Sequence, residues 1–153
     1  MTSTMNDEHN SVMVALIPKY TEWTDLDLPH LTLVYAGKTS DHTTTARNEM
    51  AKRVSSLAAL SNPLSLKVIA REPFGQGVET VEAFRLRPSH ELWAMRRFVE
   101  DWNKSEYPFN PHVTIGPLGT TVEDVPQWIR FDRLLFAWGS DHLLFKLDNR
   151  NRR

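Results

Sequence analysis

The 153-residue chain contains no cysteine. This excludes disulfides and thiolate catalysis, and it leaves any metal site to histidine, aspartate and glutamate. It also fits a cytoplasmic protein, the compartment expected here. No apolar run approaches the roughly 20 residues a membrane-spanning helix needs, so no membrane partner is expected. The opening MTSTMNDEHNSVM lacks a basic start and an apolar stretch and does not read as a secretory signal. Positive charge is not in excess: 18 Lys and Arg against 19 Asp and Glu give a net charge of −1. Proteins that grip long duplexes draw affinity from phosphate neutralisation, so no long duplex nucleic acid is expected. A small or short phosphate-bearing ligand needs only a few local cations and stays open. No internal repeat of solenoid or propeller length occurs.

What is present suits one compact domain, with residues 11–148 as its body. Residues 1–10 read as a flexible N-terminus and 149–153 as a basic tail. SVMVALIP at 11–18 reads as a strand ended by proline, and HLTLVYA at 30–36 as a second, closed by Gly37. Over 43–60, Ala46, Met50, Val54, Leu57 and Ala58 fall on one helical stripe, with Asp41 and the following threonines as cap candidates. LSLKVIAR at 64–71 alternates in polarity, FGQG at 74–77 reads as a turn, and 78–87 completes a hairpin. Ser89 caps a second helix over 90–103, with Leu92, Met95, Val99 and Trp102 inward. The second half ends in three strands, the last two around a turn at 139–142. The order is β-β-α-β-β-α-β-β-β.

One pattern stands out. PHLTL at 29–33 returns as PHVTI at 111–115. Composition alone gives a Pro-His-x-Thr match roughly 0.03 times per chain, so a pair is not a compositional accident. On a strand, alternate side chains share a face. His30, Thr32 and Val34 then share one face, with Leu31, Leu33 and Tyr35 in apolar core opposite. His112 and Thr114 share a face in the same way. Each proline opens its strand, where a missing N–H does little harm.

Three readings follow. Each histidine could be a half-buried structural residue bonded to a neighbour. Together they could ligate zinc, although that ion wants three or four ligands and the spacing supplies threonine instead. Or two imidazoles act as acid and base at neutral pH, with threonine hydroxyls donating to an oxyanion. Phosphodiester cleavage needs both proton transfers, and this set supplies them without metal or other cofactor.

At HLTL (30–33) and HVTI (112–115) the sequence resembles the 2H phosphoesterase superfamily, which includes LigT-like 2′-5′ RNA ligases and cyclic phosphodiesterases. The resemblance spans residues 11–148, with the specificity in the two motifs. It implies an α+β, bilobed fold: two antiparallel sheet lobes with pseudo-two-fold symmetry, helices outside and a central cleft. It implies His30, Thr32, His112 and Thr114 as the catalytic set, no metal or cofactor, and a small nucleotide, cyclic oligonucleotide or short RNA as substrate. In size and motif the chain is similar to compact phage-encoded anti-CBASS nucleases. It leaves open 2′,3′-cyclic, 2′-5′ and 3′-5′ linkages, and hydrolase against ligase direction. A binding module without catalysis is the competing class.

For the rest of a nucleotide site, Tyr20, Trp23 and Trp138 are candidate stacking platforms. Lys19, Arg71, Arg85 and Arg87 are candidate phosphate contacts, the last two on one strand face. His42, His90 and His142 read as surface residues.

Overall fold

The computed structural model describes residues 10–75, 77 and 80–149. The N-terminal segment 1–9, the basic residues 150–153, Gln76 of the expected 74–77 turn and Val78 and Glu79 at the start of the expected 78–87 strand lie outside them. Among the described residues, seven strands and two α-helices form: β1 Ser11–Pro18, β2 Leu31–Lys38, α1 Thr44–Leu60, β3 Leu64–Phe74, β4 Val81–Leu86, α2 His90–Val99, β5 His112–Pro117, β6 Trp128–Trp138 and β7 Asp141–Lys146. The order is the one the periodicity predicts. Thr43 caps α1 by accepting from the Ala46 N–H at 3.0 Å, and Ser89 caps α2 by accepting from Leu92. The second helix is shorter than its apolar stripe suggests: it gives way to a 3₁₀ turn at Glu100–Trp102.

All strand pairs are antiparallel, in the order β2-β1-β6-β3-β4-β5, with β7 added to β6. β3 changes partner halfway along. Leu64–Lys67 pair with β6, and Val68–Phe74 pair with β4. A strand shared this way turns a corner between two ladders. Beside the corner, Val68 opposes Leu86 but Ala70 opposes Arg85, so Ile69 is one extra residue. Such a bulge bends the strand and increases its twist. The bend brings the two ends of the path together, and β2 touches β5.

One face of the sheet carries most of the core. Val12, Val14 and Leu16 of β1 meet Phe131, Leu134 and Phe136 of β6 there, with Met50, Val54 and Leu57 of α1 and Leu92, Met95 and Val99 of α2. On the other face lies a smaller cluster of Ala15, Ile17, Leu135 and Ala137, edged by Met13 and Leu28. No helix of the described residues is long and apolar enough to cross a membrane.

Candidate active site

Both motif strands stand at the ends of the sheet path, β2 at one and β5 at the other. Their burial patterns are identical. Pro29 and Pro111 are buried, His30 and His112 half-buried, Leu31 and Val113 buried, Thr32 and Thr114 half-buried, and the next two residues buried.

That last pair marks a departure from simple alternation. Val14 opposes Val34 while Ala15 opposes Thr32, so Leu33 is an extra residue in β2. Glu82 opposes Gly116 while Ala83 opposes Thr114, so Ile115 is an extra residue in β5. Each motif therefore carries a bulge immediately after its threonine. Each bulge carbonyl is held by a distant side chain. Arg96 Nη1 donates to Leu33 O at 2.6 Å, and Thr24 Oγ1 donates to Ile115 O at 2.8 Å.

The first bulge corrects one expectation. Tyr35 is not core, and Val34 does not share a solvent-facing side with Thr32. After the extra residue the alternation inverts: Val34 is 1% exposed and joins the core, while Tyr35 is half-buried and lines a cavity.

The histidines are anchored alike. His30 Nδ1 lies 3.0 Å from Leu28 O, and His112 Nδ1 lies 2.9 Å from Asn110 O. A carbonyl can only accept, so each Nδ1 carries the proton, and Nε2 is the basic nitrogen of the neutral ring. The proline between each pair explains the geometry. It holds the preceding residue extended, and that residue's carbonyl meets the ring two positions on. Burial lowers the pKa of His112 below its ordinary value; the Asn110 carbonyl opposes that shift, and the charge of His30 adds to it. The influence of His30 on His112 places the two rings in one electrostatic neighbourhood.

A cavity of about 630 Å³ opens beside Thr32 and His112. Tyr35, Phe74, Arg96, Tyr107, Phe109 and Asn110 also line it. Tyr107 is 69% exposed at its mouth. The loop after α2 is pinned to β2 by the Lys104 N–H donating to Tyr35 O at 2.8 Å. Arg96 is 11% exposed, lies 3.7 Å from Glu100 and places its guanidinium 4.5 Å from the Phe109 ring centre. Sequence reasoning missed Arg96. Its signal was its position, four residues after Leu92 on the inward stripe of α2.

Of the other candidates, Arg85 comes nearest the motif. It stands opposite His112 on β4, with Nε 3.2 Å from Glu72 Oε1. Arg87 lies just beyond the end of β4 and is exposed, with its N–H donating to Lys67 O at 2.9 Å. Arg71 faces Glu82 at 3.9 Å. Lys19 and Tyr20 are exposed and contact each other, with Nζ 5.3 Å from the ring centre. Trp23 packs on the core against Phe84, and Trp138 packs on the core beside His42 and under Arg47. None of these last four lines the cavity. His42 is half-buried and bonds Ala36 O at 2.7 Å, whereas His90 and His142 are exposed. Among the described residues no three His, Asp or Glu side chains cluster as a metal site requires, so the zinc reading has no ligand set there.

This arrangement is a 2H phosphoesterase-like fold: mostly antiparallel strands, two helices, and the two HxT strands brought into contact. The structure of TT0787 from Thermus thermophilus superposes with a TM-score of 0.63 at 12% identity, covering 92% of this chain and 99% of that one. Usb1 of Kluyveromyces marxianus gives 0.60 at 10% identity, with 92% and 99% covered. LigT of E. coli, complexed with 3′-AMP, gives 0.48 at 17% identity, with 91% and 95% covered. At these identities the likeness concerns the fold. No sequence-family model matches the chain, and no curated protein sequence matches it significantly.

Proposed function

We propose that the protein is a phosphodiesterase acting on a small nucleotide, cyclic oligonucleotide or short RNA by two-histidine acid–base catalysis. One observation carries this reading: both histidines are locked by the same Nδ1 bond to the carbonyl two residues earlier, which gives both rings the same tautomer. A structural histidine needs no such pairing with a second copy. In cleavage, one Nε2 removes the proton from the attacking oxygen and the other ring, protonated, delivers one to the leaving oxygen. Thr32 and Thr114 donate to the non-bridging oxygens as charge builds there. The cavity beside His112 takes the nucleobase, with Tyr107 as its exposed aromatic wall.

The test is turnover of 2′,3′-cyclic AMP, a 2′-5′ dinucleotide and a cyclic dinucleotide panel, with chelator present. At least one should yield product, and His30→Ala or His112→Ala should each abolish it. Absence of product from all of them, with nucleotide still bound by a His30→Ala/His112→Ala double variant, would identify a binding module instead.

A further inference from the structure

His112 is held from two directions. Its Nδ1 is tied to Asn110 O, and its ring face lies against Phe74, with centroids 3.6 Å apart and planes at 18°. Phe74 is the last residue of β3, half-buried, and belongs to neither core cluster. Core packing therefore gives no reason for a phenyl ring there. A single hydrogen bond leaves an imidazole able to swing about that bond, and a stacked ring removes this freedom.

We propose that Phe74 is a positioning residue for His112, fixing the imidazole plane and keeping water from one ring face so that His112 serves as the proton acceptor. The inference rests on the acid–base reading above and assigns its two roles. His112 Nε2 takes the proton from the attacking water or ribose hydroxyl as the new P–O bond forms. Protonated His30 gives its proton to the leaving oxygen as the old P–O bond breaks. The cycle closes when the two rings exchange protons with solvent.

Two effects of the phenyl face oppose one another. A protonated imidazole over a ring face gains about 0.5–1 kcal/mol. Burial disfavours the same cation by up to about 3–5 pKa units when complete. For His112 burial is the largest influence, and the downward direction follows. Among the described residues, the charged and titratable groups around it are His30 beside β2, Arg85 from β4 with its partner Glu72 on β3, Arg96 from α2, and Tyr35 and Tyr107 across the cavity. Of these only His30 contributes to the shift.

The experiment is an NMR titration of the histidine rings in the wild type, Phe74→Ala and Phe74→Leu. It needs no substrate, so it stands apart from failure of the phosphodiesterase reading, which would show as a wild type without turnover. The His112 pKa should rise by about half a unit or more in Phe74→Ala, with Phe74→Leu between. With a turned-over substrate, kcat should fall about tenfold and KM stay within about twofold, while the acid limb moves to higher pH in step. An unchanged or lowered His112 pKa in Phe74→Ala would overturn the proposal, as would a raised pKa with kcat intact.

Discussion

The guanidinium of Arg96 is the side chain whose loss should be felt most widely. In Arg96→Met the apolar stem survives and three interactions vanish. The bond to Leu33 O, at 2.6 Å and from a nearly buried donor, has a charged partner and contributes about 1.5–3 kcal/mol. The position over Phe109 adds about 0.5–1 kcal/mol. The pair with Glu100, whose side chain is 54% exposed, adds about 0.3–0.5 kcal/mol. Arg96→Met should therefore lose about 3 kcal/mol in urea unfolding, with an unchanged slope against denaturant. For a domain of this size that lowers Tm by about 6–12 °C. Thr24→Val, which removes the matching neutral bond at the other bulge and an exposed bond from the Leu26 N–H to the same hydroxyl, should lose only about 1–1.5 kcal/mol. Arg96→Lys should fall between wild type and Arg96→Met, because a lysine lacks the planar fork. Loss below about 1 kcal/mol in Arg96→Met, or no more than in Thr24→Val, would refute the view that these side chains anchor the bulges unequally.

Two further outcomes follow from the same strands. The folded-state pKa of His112 is lowered, so the neutral ring favours the fold; that stability is complete above the unfolded value of 6.5 and is lost as pH falls through the folded value. Stability of the wild type should decline with acidification in this window, and His112→Gln should show a shallower decline by equilibrium unfolding. At Gly116 an added Cβ would lie 2.5 Å from Thr120 Oγ1. Gly116→Ala should lower Tm, and the double change Gly116→Ala/Thr120→Ala should recover part of the loss.

Period and parity reach far in this chain. Leu92, Met95 and Val99 are inward on α2, and Leu31 and Val113 lie opposite the histidines, as alternation requires. Parity fails at Tyr35 because a bulge is a tertiary device: nothing in HLTLVY announces that Leu33 will lack a partner. The same limit hides Arg96, which reads as an ordinary charge in a last turn beside Arg97 until Leu33 O is seen to need a donor. Tryptophans are ambiguous for another reason. A loop indole is equally suited to stacking a base and to capping a core edge, and Trp23 and Trp138 both pack partly buried against the core. The carbonyl anchors of His30 and His112 also went unread: the shared proline reads as a strand opener, while its effect lies in the residue before it.

The switch of β3 from β6 to β4 gives the molecule a particular kind of adjustability. The two HxT strands are the outermost members of one folded ribbon, and how they meet depends on every twist along it. The placement of one motif against the other thus turns on a pivot near Ile69, far in sequence from both. A residue gained or lost at that pivot would re-space the histidines without touching either one.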